Sequence, residues 1–259
     1  MINNIGNFIN ILIIIIIMEK KGQLTIFIII AILIIAVVAL FFMFRGNLNL
    51  PGKPVAPEVA SIKNFVQECL EEDSNSVIRL VGQGGGYYVF PKLSTDTGIP
   101  YYLIGNRSYM LSKQQIEKEI SNYITRNLEF CIGGFTDFTQ YNITRGKLNT
   151  AAIIQDEKVL VKLNYPLTIK KGESVSRIQD FETEVPVRMG IIYDIIKKYQ
   201  DQEKPIEGMC FNCQVDELEA KGLSLDSYDY NNETVIFVLK DKYSIINNKP
   251  FEWIFANKY

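Results

Sequence analysis

Histidine is missing from all 259 residues. That absence excludes Ser-His-Asp and Cys-His nucleophilic catalysis, histidine-ligated zinc or haem, and any histidine pH switch. A basic excess is missing too. Removing Lys20, Lys21 and Arg45 from the 27 basic residues, and Glu19 from the 29 acidic ones, leaves residues 46–259 with a net charge of about −4. With no basic stripe to neutralise phosphates, nucleic acid is not an expected partner. There is no internal repeat. No motif calls for a cofactor or a metal ion, and no set of residues forms a catalytic constellation. The one glycine-rich run, Gly82-Gln83-Gly84-Gly85-Gly86, lacks the Gly-Lys-Ser/Thr of a phosphate loop. It also follows a helical pattern rather than a strand, so it reads as a helix stop.

Against these absences stands one long apolar run. Leu24 to Phe44 holds 21 residues without a charge, and only Thr25 is polar. As a helix it would cover about 30 Å, one bilayer core. Residues 24–45 are therefore expected to be a single transmembrane helix. Lys20 and Lys21 precede it and Arg45 alone follows closely, which places the N-terminus in the cytoplasm and residues 46–259 outside. The upstream run Phe8 to Met18 is too short to span. A true start at Met18, leaving residues 1–17 untranslated, accounts for it.

The leader Lys20-Lys21-Gly22-Gln23, followed by an apolar helix, resembles the class III signal of archaeal type IV pilin-like proteins. The resemblance covers about residues 19–44. It implies a prepilin-type peptidase as partner, cutting after Gly22 and leaving Gln23 as the mature N-terminus. Two departures weigh against filament formation. Gly46, Pro51, Pro54 and Pro57 interrupt the helix that pilins continue past the membrane, and Phe27 stands where bacterial pilins carry a glutamate. The phrases Val161 to Ile169 and Phe251 to Tyr259 resemble uncharacterised archaeal membrane proteins with this anchor layout, which implies no activity.

Beyond the anchor, 46–58 reads as a proline-bearing stalk and 59–259 as an α+β domain, with a lobe boundary considered near 132–134. Val59 to Leu80 has a helical stripe of Val59, Ile62, Val66, Cys69 and Leu70. Tyr87 to Phe90 and Tyr101 to Ile104 read as a strand pair. Ser112 with Gln115 makes a capping box for a second helix, whose inner face is Ile116, Ile120, Tyr123, Ile124 and Leu128. Thr150 to Gln155 and Val159 to Tyr165 flank Asp156-Glu157-Lys158 as hairpin arms. Leu167 to Ile169 and Phe181 to Val185 extend that sheet. Val187 to Tyr199 reads as a third helix and Cys213 to Lys221 as a short fourth. Val235 to Leu239 and Phe251 to Phe255 make a closing hairpin. Three or four helices with antiparallel strands argue α+β.

The four cysteines are the best chemical clue. An even count outside the cytoplasm favours disulfides, and the expected pairs are Cys69–Cys131 and Cys210–Cys213. The second pair, in Cys210-Phe211-Asn212-Cys213, has the spacing of a thiol-disulfide exchange site, but no thioredoxin-type context surrounds it. Asn106, Asn142 and Asn232 each head an Asn-X-Ser/Thr sequon and are glycosylation candidates. Glu68, Glu71, Glu72 and Asp73 read as a solvated helix face. Tyr87, Tyr88, Tyr101 and Tyr102 read as packing residues in preference to a carbohydrate platform. The expected function is a structural, adhesive or binding role at the cell envelope, with the bilayer and envelope proteins or glycans as partners. A thiol-disulfide accessory protein and a pilus subunit are the alternatives.

Overall fold

A computed structural model describes residues 29–35, 57–202 and 215–259. The chain divides into two units, Met1–Pro54 and Val55–Tyr259. In the first, residues 29–35 are helical with every side chain exposed. Among the described residues no helix is long and apolar enough to cross a membrane. The leader Lys20 to Gln23, the rest of the run from Leu24 to Phe44, and the stalk up to residue 56 lie outside the described residues, as do Cys210 and Cys213.

The second unit is α+β. Helix α1 (Pro57–Gln83) opens on proline, which suits the first helical position because the missing amide would have no partner there. Its apolar positions Val59, Ile62, Val66, Cys69, Leu70, Val77, Ile78 and Val81 are all buried. At 1.5 Å per residue it is about 40 Å long, enough to lie against both sheets of the domain. It ends as the glycine run requires: Gly85 and Gly86 have φ of 51° and 91°, and the Gly86 amide donates to the Val81 carbonyl at 2.7 Å.

Helix α2 (Lys113–Ile132) begins in the expected capping box. The Ser112 hydroxyl accepts from the Gln115 amide, and the Gln115 side chain accepts from the Ser112 amide. Ile116, Ile120, Ile124, Leu128 and Ile132 form its buried seam. Its end at Gly133 is left-handed, and Gly134 and Phe135 continue with positive φ into a 3₁₀ turn, Gly133–Phe138. Phe135 carries a costly backbone for a non-glycine residue. Its buried ring is held between Phe65 and Phe138, at 6.3 Å from each.

One sheet is built on a hairpin, β5 (Val159–Lys171) with β6 (Ser174–Val185). On the other edge of β5, β4 (Asn149–Ile154) pairs with its first half and β3 (Asn142–Arg145) with its second. Pro166 lies inside β5 at a register shift between Asn164 and Leu167, where proline's missing donor does no harm. The Pro166 carbonyl accepts from Gly146 at 2.7 Å. Helix α2 covers the outer edge of β4: Ser121 Oγ accepts from the Ala152 amide at 2.9 Å and Glu117 Oε1 from the Ile154 amide at 2.8 Å.

The other sheet runs β2-β1-β9-β8-β7. Its strands are β1 (Tyr101–Ile104), β2 (Arg107–Ser108), β7 (Leu223–Asn231), β8 (Thr234–Ile246) and β9 (Lys249–Lys258). All neighbours are antiparallel except β1 and β9, which are parallel. The β8–β9 turn is Asn247-Asn248, both with positive φ, a conformation asparagine tolerates. Helices α3 (Met189–Gln202) and α4 (Val215–Ala220) lie between β6 and β7 in sequence. Phe237, Trp253 and Phe255 point inward from this sheet and are buried. Tyr102 stacks on Phe255 at 4.7 Å; its hydroxyl accepts from Trp253 Nε1 at 2.9 Å and donates to the Gly85 carbonyl at 2.9 Å. A Cβ on Gly82 would lie 2.5 Å from the Glu252 carbonyl oxygen. The glycine run thus also lets the end of α1 approach β9.

Two expectations are corrected. Residues 87–90 are not a strand; β1 pairs instead with β2 and with β9, some 150 positions away in sequence. The domain is also not a purely antiparallel sheet. Residues 132–134, considered as a lobe boundary, hold the end of α2 and the start of the 3₁₀ turn.

Candidate binding surface

Alternation along β8 and β9 sends Phe237, Leu239, Trp253 and Phe255 into the core, so the residues between them face the other way. Register places Tyr228, Ile236 and Ala256 in one cross-strand row that reaches Tyr101 on β1, and Asp226, Val238 and Ile254 in the next. Ile236, Val238, Ile254 and Tyr101 are half-buried and Tyr228 is exposed. A third row, Ser224, Lys240 and Glu252, borders this apolar band with charge, and Lys240 pairs with Asp226 at 2.8 Å. A cleft of about 470 Å³ adjoins it, lined by Glu219, Gly222, Leu223, Ser224, Lys240, Lys242 and Pro250. A band of tyrosine and branched aliphatic side chains with a polar margin suits recognition of another surface.

Two charged groups stand out nearer the core. Asp241 is enclosed at the start of a shift in the β8 register. Burial alone would raise its carboxyl. The Arg188 guanidinium, the Ser244 hydroxyl and the Tyr243 amide outweigh that and hold it below the ordinary carboxylate range. Arg188 Nε donates to Asp241 Oδ2 at 3.0 Å, its Nη2 donates to the other carboxylate oxygen and to the Lys221 carbonyl, and its guanidinium lies 4.7 Å from the Tyr243 ring centroid. This network ties the chain entering α3 to β8.

Asp73 on α1 is different. Burial, with the nearby Glu72 charge, pushes its carboxyl up to about 6, and its Oδ2 is enclosed without a hydrogen-bond partner. Its charge in turn helps raise Tyr123 of α2, after burial. Arg126 of α2 donates to the Tyr88 hydroxyl at 2.8 Å.

The residues singled out from sequence are spread over the domain. Cys69 and Cys131 form a disulfide with Cα atoms 5.7 Å apart, joining α1 to α2. Glu68, Glu71 and Glu72 are exposed, as expected for a solvated face, while Asp73 is half-buried. The four tyrosines do not form one platform: Tyr102 is enclosed, and Tyr88 packs edge-on against Tyr123 at 5.6 Å. Asn106, Asn142 and Asn232 are all exposed. Among the described residues no group of three or more His, Cys, Asp or Glu side chains is placed to hold a metal ion. Reasoning from sequence missed the sheet band, because its outer edge lies on β7, whose pattern Leu-Ser-Leu-Asp-Ser-Tyr-Asp-Tyr has too few apolar positions to announce a strand. Arg188–Asp241 left no sequence signal, as its partners are 53 residues apart. No protein-family model, curated protein or solved structure matches the chain.

Proposed function

We propose that this is a membrane-tethered cell-surface protein whose domain binds an envelope protein or glycan through the outer face of its five-stranded sheet. The observation that carries the tether is the state of residues 29–35. Ile29, Ile30, Ile32, Leu33, Ile34 and Ile35 are 44–67 % exposed on a helix that is apolar all round. A helix of that kind is found in a protein core or in lipid. The disulfide supports an oxidising compartment, and the exposed sequon asparagines agree with it. The leader Lys20 to Gln23 supports a pilin-like export route through a prepilin-type peptidase.

Protease added to intact cells, with membranes then extracted by detergent, tests the placement. Fragments of the 57–259 domain released from the cells, and a remnant that leaves the membrane only with detergent, are the expected result. A chain that stays soluble without detergent, or a domain that protease cannot reach, refutes the proposal. Mass spectrometry of the mature N-terminus tests the leader: Gln23 as first residue supports it, and an intact Met1 or Met18 removes it.

A further inference from the structure

Thr234 is the first residue of β8 and is 1 % exposed, yet its hydroxyl has no hydrogen-bond partner. A dry hydroxyl without a partner is a net cost to folding. Valine has nearly the same shape and a higher strand preference, and would avoid that cost. The fold therefore gives no reason for threonine here. The local sequence does: Asn232-Glu233-Thr234 is a glycan acceptor triplet, and the hydroxyl at its third position is part of what defines an acceptor.

The surroundings fit a modified asparagine. Asn232 and Glu233 form the β7–β8 turn, and the Asn232 side chain is exposed. The turn is fixed around it, since Asn231 Oδ1 accepts from the Glu233 amide at 3.0 Å and the Glu233 carbonyl accepts from the Tyr259 amide at 2.8 Å. A second triplet lies at the same end of the sheet. Ile104 and Thr234 both pair with Lys258 of β9, so the β1–β2 turn carrying Asn106 and the β7–β8 turn carrying Asn232 flank the end of one strand. The Gly105 amide donates to the Lys258 carbonyl at 2.8 Å.

We infer that Asn232 is N-glycosylated, with Asn106 as a companion at the same sheet end, and that Thr234 is retained for this transfer. The inference rests on the extracytoplasmic placement proposed above. The donor class is a polyprenyl-phosphate-linked oligosaccharide. The Asn232 amide nitrogen bonds to the anomeric carbon, the anomeric carbon–oxygen bond to the lipid phosphate breaks, the phosphate leaves with that electron pair, and the nitrogen loses one proton. Because Thr234 is enclosed once β8 is paired, the transfer to Asn232 precedes folding. Ser108, the third residue of the Asn106 triplet, is exposed, so Asn106 stays accessible afterwards.

The test uses full-length chain recovered from the membranes of the organism that makes it, as wild type, Thr234→Val and Asn232→Gln. Peptide mass spectrometry reads residue 232, and protease shaving of intact cells runs in parallel. The expected result is a saccharide mass increment on Asn232 in the wild type and its complete loss in both variants, with Thr234→Val melting no lower than wild type. An unmodified Asn232 on a chain that shaving degrades overturns the inference and leaves the placement standing. A chain protected from shaving overturns the placement and the inference with it. A Thr234→Val chain that melts several degrees lower overturns the argument, because the hydroxyl would then serve the fold.

Discussion

The enclosed oxygen of Asp73 gives the sharpest test of the energetics. Its carboxyl ordinarily titrates at 3.8 and is pushed up to about 6 in the folded chain, by burial and then by Glu72. The folded protein therefore holds the proton more tightly than the unfolded one. The contribution of this one group to stability is greatest below about pH 4, and falls as pH rises from 4 through 6. A displacement of that size corresponds to about 3 kcal/mol for a fully enclosed group. Asp73 is only half-buried, and solvent screening reduces the figure to about 1 kcal/mol. Asp73→Asn removes the charge and keeps the shape. The unpartnered polar atom persists in the variant, so its cost cancels between two pH values and the charge alone remains. Urea unfolding of the 55–259 unit, followed by fluorescence of its single tryptophan, the enclosed Trp253, is the assay. The variant should gain about 1 kcal/mol over wild type at pH 7.5 and nothing measurable at pH 4. Equal effects at both pH values, or a loss at pH 7.5, would refute the reasoning.

Other perturbations read different parts of the domain. Replacing Cys69 and Cys131 together by alanine releases a link across 62 residues; the loop-entropy relation puts the loss at about 4 kcal/mol, measurable by the same unfolding experiment. Arg188→Met leaves Asp241 enclosed without its cation and should cost about 3–5 kcal/mol at pH 7. Because the Asp241 carboxyl is held low, its stabilising contribution is present above about pH 4 and is lost as pH falls further, so the penalty of Arg188→Met shrinks in acid. Glu117→Ala uncovers the β4 edge amide of Ile154; it should cost about 1 kcal/mol and introduce concentration-dependent association, read by light scattering.

The helices were legible because their signals are local. Ile116, Ile120, Ile124 and Leu128 recur every four residues behind a capping box, and a glycine run marks the end of α1. The β4–β5 hairpin was equally plain, since Asp156-Glu157-Lys158 separates two alternating arms. Strand pairing between distant segments left no such mark. Tyr87 to Phe90 look like a strand by composition, but they leave a left-handed glycine turn and have no neighbour to pair with. Tyr101 to Ile104 pair with the two residues of β2 and, for their main neighbour, with β9 at the far end of the chain. β7 went unrecognised because an edge strand with one face in solvent needs few apolar residues. Val159 to Tyr165 and Leu167 to Ile169, read as separate pieces, are one strand because the register shift at Pro166 absorbs the proline.

The candidate site was less legible than the fold for a physical reason. Folding leaves periodic traces, whereas function here shows as residues that folding does not explain. Phe237, Trp253 and Phe255 are apolar because the core encloses them. Ile236, Val238 and Ile254 alternate with them and have no such reason, and neither do the exposed isoleucines at 29–35 or the enclosed hydroxyl of Thr234. Each works against a monomer in water: the first two leave apolar surface wet, and the third dries a polar atom. Lipid around 29–35, a partner on the sheet band and a glycan at Asn232 would relieve or justify all three, in keeping with the extracytoplasmic placement proposed above. Thr234→Val should accordingly leave the domain's unfolding midpoint in urea unchanged or raised. A drop in that midpoint would mean that the core, and no external partner, requires the native residue.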